Sequence, residues 1–236
     1  NKRWRILATT KRLLKPFHEA GFENCEVAYY PVSKILEDTI YPMTASEPHL
    51  LYAGAAREDK GFGKVVKYLL YLDTLNLKWP ASVQCAASGN KSDGELDSVC
   101  QDNLIRLKAQ LPSFVDLKEN ALATNEFRNQ FQGAICLLLY DRVAYRDKFS
   151  AVALQAMQCG APIITVRDTW MGDLVSFHGS GELVDGNEIG ELHSAVKKVR
   201  SNYKDYRKRA IAAGKKLAVI HQPESTLKLL SSGISR

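Results

Sequence analysis

Two basic side chains follow a glycine turn early in the chain. The segment is Y-A-G-A-A-R-E-D-K-G-F at 52–62, in which Gly54 is followed by Arg57 and Lys60. A guanidinium and an ammonium group can neutralise a phosphate, and backbone N–H groups at the start of a following helix also favour anions. The turn therefore predicts an anion site. Because a single glycine turn is not specific, two solvated surface charges are the alternative.

A second group of polar side chains fills the segment 140–150, Y-D-R-V-A-Y-R-D-K-F-S, directly before a predicted helix. That helix begins near Ser150 and ends at Gly160, because Gly160 suits the left-handed position after a helix and Pro162 prevents its continuation. Free N–H groups at the helix start favour a phosphate. The segment 140–150 thus also predicts an anion site, above all for a phosphate.

Several other kinds of site have no counterpart in the sequence. There is no D-x-D motif for a metal-bound diphosphate, no G-x-G-x-x-G for a dinucleotide and no C-x-x-C pair for zinc. The five histidines are scattered, and no nucleophile elbow accompanies them. We therefore expect neither a metal ion nor a cofactor.

Short apolar runs alternate with amphipathic stretches along the chain, a pattern typical of an α/β protein. Because a parallel sheet needs crossover helices, the alternation predicts one Rossmann-like domain with a parallel sheet flanked by helices. The predicted strands are 5–9, 25–30, 49–55, 82–88, 114–117, 134–139, 163–166 and 181–184. The predicted helices are 10–20, 64–72, 95–111, 122–132, 150–160, a helical region from Glu188, and 223–230.

The composition is that of an ordinary globular protein: 236 residues, 45% hydrophobic and 25% charged, with a net charge of +6. Five widely spread cysteines indicate small apolar residues in a reducing compartment. No apolar run is long enough for a membrane span, and no signal peptide is visible. We expect a cytoplasmic protein, with peripheral association at the inner face of a membrane as an option for its basic surface. The chain does not begin with Met, which favours a fragment of a longer protein.

One stretch resembles a known family. F-S-x-V-x-L-x-A-M-x-C-G-x-P-I-I at 149–164 is similar to the nucleotide-sugar-binding, C-terminal half of retaining GT-B glycosyltransferases of the GT4-like group 1. That family typically carries a glutamate, seven residues and a second glutamate. This chain has Asp147 and Gln155 at the two places, so one carboxylate has a shorter reach and the other is a neutral amide.

The resemblance implies a donor site for a nucleoside-diphosphate sugar, with UDP or GDP as the nucleotide. It implies that Arg57 and Lys60 contact the diphosphate and that Asp147 contacts the sugar, which makes these three the expected catalytic residues. The other expected donor-binding residues are Gly54, Gly89, Tyr140, Phe149, Ser150, Gln155 and Asp173. Asp173 stands where the family has an acid near the sugar.

The resemblance covers roughly 1–225 and implies that 1–236 is the donor-binding domain alone. The segment 1–47, with R-L-L-K at 12–15 and A-G-F at 20–22, is similar to the crossing from an acceptor domain that this chain lacks. The segment 223–236 is expected to form a C-terminal helix and tail. The expected partners are a nucleotide sugar and the missing N-terminal acceptor domain, and no nucleic acid.

Two alternative functions stay open from the residues. The changed acids at Asp147 and Gln155 favour a catalytically inactive nucleotide- or nucleotide-sugar-binding or interaction module. A nucleic-acid-binding domain is supported only by the basic segment 197–216 with Tyr203 and Tyr206, since no motif for reading a groove accompanies it.

Overall fold

The chain begins with a small βαβ unit. A computed structural model describes residues 4–32, 47–85 and 98–232. Strand β1 (Ile6–Ala8), helix α1 (Leu14–Glu19) and strand β2 (Cys25–Val27) form what we call the N-terminal unit. Its two strands pair in parallel and form a sheet of their own, separate from the main sheet.

Helix α1 is shorter than the predicted helix 10–20, and Pro16 explains the difference. Proline lacks the N–H that a helix interior needs, so it is tolerated only in the first turn. A helix from Thr10 would place Pro16 in its interior. The helix instead begins at Leu14, and Thr10 is free to bond elsewhere.

The main sheet has six parallel strands in the order β5-β4-β3-β6-β7-β8. Their bounds are β3 His49–Tyr52, β4 Ala81–Gln84, β5 Val115–Lys118, β6 Ala134–Leu138, β7 Ile163–Val166 and β8 Gly181–Val184. Strands β6 and β7 are buried at every position, as is typical of central strands covered on both faces. The predicted parallel-sheet α/β fold is therefore confirmed.

Helices cover both faces of this sheet. The helices after the N-terminal unit are α2 Phe62–Thr74, α3 Ser98–Ala109, α4 Thr124–Asn129, α5 Ala151–Gln158, α6 Trp170–His178, α7 Ile189–Ser201, α8 Tyr203–Ile220 and α9 Pro223–Ser231, and α9 lies apart from the sheet. One buried cluster joins α2, α3 and α7 to one face, and a second joins α5, α6 and α8 to the other. The assignment of 1–236 to a single donor-binding domain stays a prediction.

Helix α9 returns to the N-terminal unit and its connection. Thr226 Oγ1 donates to the Tyr29 carbonyl at 2.8 Å, and an Arg5 guanidinium nitrogen donates to the Leu229 carbonyl at 2.8 Å. His221, just before α9, donates from Nδ1 to the Tyr30 carbonyl at 2.8 Å. These bonds tie the two ends of the described chain together.

Two histidines predict a loss of stability at mildly acidic pH. His221 is buried and His49 is half-buried, and burial lowers the pKa of both imidazoles. The unfolded chain binds protons at these groups near about pH 6.5, and the folded protein binds them only at lower pH. The free energy of unfolding should therefore fall as the pH drops below about 6.5. Urea midpoints measured across this range should fall less in His221→Gln than in the wild type. An equal decrease would show that His221 does not contribute.

Close packing of α5 on α8 depends on a glycine in the middle of α8. A Cβ at Gly214 would lie 2.3 Å from the Met157 carbonyl oxygen. Gly214→Ala should therefore lower the free energy of unfolding by about 1–3 kcal/mol through overpacking. Gly190→Ala in α7 is the matched control, because nothing lies within 4 Å of its added Cβ. Urea denaturation of both variants checks this, and equal stability of Gly214→Ala and wild type would contradict it.

Candidate functional site

The sheet order places a crevice between β3 and β6. From β3 the chain continues to β4 and β5 on one side, and it returns to place β6 on the other side of β3. At such a switch point the two following loops part, and ligands bind at the carboxyl ends of the strands. Gly54 follows β3 here, and the 140–150 loop follows β6. The two sequence segments predicted to form one site are therefore brought together.

Lys60 lies in this crevice beside the glycine turn. It ends the 3₁₀ turn Glu58–Lys60, and its Nζ lies 3.9 Å from the position that a Cβ on Gly54 would occupy. Val152, in the first turn of α5, lies 3.8 Å from the same position. The ammonium group thus sits between the glycine turn and the start of α5. A side chain on Gly54 would occupy this space.

The charge of Lys60 is only partly compensated. The side chain is half-buried, and no acceptor in the described ranges forms a hydrogen bond or ion pair with its Nζ. Burial, and then the neighbouring Arg57, lower the pKa of Lys60. A half-buried cation without an anionic partner is a natural binding point for a ligand anion.

Arg57 has a partner within the same turn. Its guanidinium forms a forked ion pair with the Asp59 carboxylate, with Nε 2.9 Å from Oδ1. The backbone carbonyl of Asp59 accepts from the Asp141 N–H at 2.8 Å, which ties the turn to the 140–150 loop. Gly61 follows with φ +73°, and a Cβ there would lie 2.2 Å from the Leu139 carbonyl oxygen. The basic turn is therefore packed directly on the end of β6.

Tyr140 is the buried residue on which the 140–150 loop packs. Its ring is 1% exposed and meets Tyr145 edge-on at 4.5 Å between ring centres. Burial raises its pKa, and the neighbouring Ser150 side chain opposes this shift. The buried ring offers no surface to a ligand, so Tyr140 contributes to the site by packing against the loop.

Ser150 caps α5 at the carboxyl end of β6. Its Oγ accepts from the Ala153 N–H at 3.3 Å, which leaves the N–H groups of the first two helical residues without an intrahelical acceptor. The Phe149 ring before it is occupied: it stacks on Tyr30 at 4.5 Å and meets Trp170 edge-on at 6.4 Å. Phe149 can therefore present its backbone to a ligand, but not a free ring.

Asp147 and Gln155 occupy the loop and the helix face next to this cap. The Asp147 side chain is 28% exposed, and its carboxylate lies 3.0 Å from Arg146 Nε. Gln155 is partly buried in α5, one turn beyond the capped end. The two positions therefore lie on either side of the Ser150 cap, with one carboxylate already paired and one neutral amide.

Asp173 is bound by a residue that the sequence did not single out. In the first turn of α6, its two carboxylate oxygens each accept a 2.7 Å bond from Arg12 of the N-terminal unit. Thr10 reaches the same region and donates to the Asp147 carbonyl at 2.7 Å. No local pattern signals these contacts, because they join residues more than 130 positions apart. Gly89 lies outside the described residues.

The residues that supported nucleic-acid binding point inward. Tyr203 and Tyr206 are 5% and 6% exposed; the first donates to the Ala134 carbonyl at 3.2 Å, and the second bonds to Glu182. The two rings therefore offer no stacking surface to a nucleic-acid base.

Among the described residues, no group of three or more His, Cys, Asp or Glu side chains is arranged to hold a metal ion. None of the described helices is both long and apolar enough to cross a membrane.

The fold is that of the C-terminal, Rossmann-like half of a GT-B glycosyltransferase. Residues 122–217 match the family described as glycosyl transferases group 1, a range that includes the 140–150 loop, α5 and the Asp173 turn. The resemblance inferred from residues 149–164 is thereby confirmed. Among curated protein sequences, none matches the chain.

Solved structures with this fold share little sequence with the chain. Sucrose-phosphate synthase from Thermosynechococcus elongatus superposes with a TM-score of 0.70 at 16% identity, over 95% of this chain and 56% of its own. HepE from Anabaena, solved in complex with UDP, gives 0.72 at 15% identity over 98% and 63%. A glycosyltransferase from Rickettsia africae gives 0.70 at 12% identity over 97% and 62%. This chain therefore spans little more than half of each of these structures.

Proposed function

We propose that the chain is the donor-binding part of a retaining glycosyltransferase that uses a nucleoside-diphosphate sugar. The observation that carries this proposal is the half-buried Lys60 ammonium group, which faces Gly54 and the start of α5 without an anionic partner among the described residues. The family match over 122–217 and the complex of the similarly folded HepE with UDP support the choice of a nucleotide.

In this proposal the diphosphate lies between the basic turn and the start of α5. Lys60 donates to it directly, and Arg57 exchanges part of its pairing with Asp59 for a phosphate oxygen. The N–H groups at the α5 start bind the other side. Charge develops on the diphosphate as the sugar departs, and these fixed donors stabilise it without a metal ion. In this proposal Asp147, three residues before the α5 cap, contacts hydroxyl groups of the sugar.

We further propose that an acceptor domain completes the cleft. The N-terminal unit presents a sheet of only two strands, which is too small to be stable on its own and gains from further packing. The similarly folded structures are longer than this chain, which supports a second domain in the working enzyme.

Peripheral binding to anionic lipid is a separate part of the proposal. It is supported by exposed lysines along α8, among them Lys204, Lys208 and Lys216, and vesicle co-sedimentation tests it.

A screen of nucleotides by thermal unfolding tests the proposed ligand. UDP or GDP should raise the apparent melting temperature, because a ligand that binds only the folded state stabilises it. ADP and inorganic phosphate at the same concentration serve as comparisons for the base and for simple anion binding. A chain that responds to no nucleoside diphosphate would overturn the proposal.

A specific observation favours a second candidate, a binding module without catalysis. The carboxylate of Asp147 is paired with Arg146, and Gln155 stands where the family has its second acid. Such a module would bind the nucleotide through Lys60 and α5 and would not transfer the sugar. The two candidates agree on nucleotide binding and differ only in transfer.

A further inference from the structure

We infer that Arg12 is a positioning residue for the candidate site: it fixes the 140–150 loop and the first turn of α6 against the N-terminal unit. The inference deepens the proposed function and rests on it for the identity of the ligand. The family resemblance includes Arg12 only as part of the R-L-L-K segment and gives it no role, and Arg12 is not among the site residues predicted from the sequence.

Arg12 binds three separate segments at once. Nε and one terminal nitrogen donate to the two carboxylate oxygens of Asp173, each at 2.7 Å. The other terminal nitrogen lies 3.2 Å from the carbonyl oxygens of both Arg146 and Asp168. The guanidinium thereby joins the 140–150 loop, the β7–α6 connection and α6. Only arginine has the planar fork of donors that this arrangement uses.

The segments that Arg12 holds would not keep this arrangement by local structure alone. Asp168 adopts a left-handed backbone with φ +56°, which is unfavourable for a residue with a side chain. Surrounding contacts must maintain such a conformation, and Arg12 binds the Asp168 carbonyl directly. Next to Arg12, the buried Thr10 fixes the carbonyl of Asp147. The backbone on both sides of the candidate sugar contact is therefore held from the N-terminal unit.

This arrangement gives Asp173 a different role from the one the sequence predicted. Both of its carboxylate oxygens are used by Arg12, and the hydrogen bond and charge of Asp173 raise the pKa of Arg12. Asp173 then anchors Arg12 and does not bind the sugar. The consequence for function is that the position of the N-terminal unit sets the geometry of the loop that leads to the α5 start.

Hydrogen exchange and nucleotide titration of variants test this inference. Arg12→Ala should speed amide exchange in 141–150 and 167–173 and weaken UDP binding about tenfold, because the loop must be ordered on binding. Arg12→Lys keeps the charge but loses the fork, so it should lie between Arg12→Ala and the wild type.

Arg5→Ala is the matched control. Arg5 is similarly exposed, lies in the same N-terminal unit and forms a forked pair with Glu26, but it touches neither loop. It should leave UDP affinity and exchange in 141–150 unchanged. Equal losses in Arg5→Ala and Arg12→Ala would overturn the inference, because they would indicate general loosening of the unit.

A double-mutant cycle separates the anchor from a ligand role for Asp173. If Asp173 acts through Arg12, then Arg12→Ala, Asp173→Ala and the double variant should weaken binding by similar factors. A much larger loss in Asp173→Ala than in Arg12→Ala would overturn the anchor role. If the wild type binds no nucleotide, the proposed function fails, and exchange in 141–150 alone decides whether Arg12 positions the loop. Unchanged exchange in Arg12→Ala would refute it.

Discussion

Lys60→Ala should weaken the binding of UDP or GDP by roughly ten- to a hundredfold. The lost interaction is a charge-assisted hydrogen bond to phosphate, worth about 1.5–3 kcal/mol. The structure adds a second expectation, because Lys60 is half-buried and carries a charge without an anionic partner among the described residues. Removing that charge should leave the melting temperature of the free protein unchanged or slightly higher. Titration calorimetry and thermal unfolding of the same variant measure both.

Lys78→Ala provides the control for net charge. Lys78 is an exposed lysine before β4, at the end of the sheet opposite the crevice. It should bind nucleotide like the wild type at moderate ionic strength, because exposed charges far from a ligand are screened. Equal affinity of Lys60→Ala and Lys78→Ala for the nucleotide would show that Lys60 is an ordinary solvated lysine and does not contact the phosphate. A fall in stability of Lys60→Ala would show that the ammonium has a structural partner.

The strands of the main sheet were the part of the fold that could best be predicted from the sequence. IITV at Ile163–Val166 and GELV at Gly181–Val184 form strands with the predicted bounds, because a proline or a glycine marks the start of each and most of their residues are apolar or β-branched. Helix α6 was not assigned from the sequence. It contains Gly172, and its start depends on the Thr169 side chain, which accepts from the Gly172 N–H at 3.0 Å. Short helices of this kind depend on capping and packing more than on periodicity.

The sequence could predict only those site residues whose position follows from the neighbouring strand or helix. Lys60, Gly54 and Ser150 lie next to strand ends, so the rule for parallel sheets brings them together. The pairing of Asp173 with Arg12 joins positions 161 apart and depends on how the N-terminal unit docks. The occupied rings of Tyr140 and Phe149 also follow from packing between distant segments. Hydrophobic patterns carry no information on such contacts.

The isolated chain should bind a nucleoside diphosphate and transfer little or no sugar. Transfer requires donor and acceptor held with the reacting atoms in contact, and most of that advantage comes from fixing both partners. In the proposed function, this chain provides one side of such a cleft. Joined to an acceptor domain, it should gain activity with the sugar conjugate of the nucleotide that stabilises it. Efficient transfer by the chain alone would show that the acceptor site is already present.

Within that joined enzyme, Asp147→Ala should lower kcat by about a hundredfold, the lower range for losing a positioned polar catalytic group. Asp147→Asn separates charge from position, because the bond from Thr10 reaches the backbone carbonyl and is kept in both variants. If the negative charge acts on the sugar, Asp147→Asn should be nearly as slow as Asp147→Ala, with UDP affinity close to that of the wild type. Asp205→Ala, at an exposed carboxylate in the first turn of α8, should be as active as the wild type. Full activity of Asp147→Ala would mean that this carboxylate has no role at the sugar.

Failure of the unmodified joined enzyme to transfer any sugar while it binds UDP would favour the binding module, in which the Arg146 pair and Gln155 replace the acids of an active site.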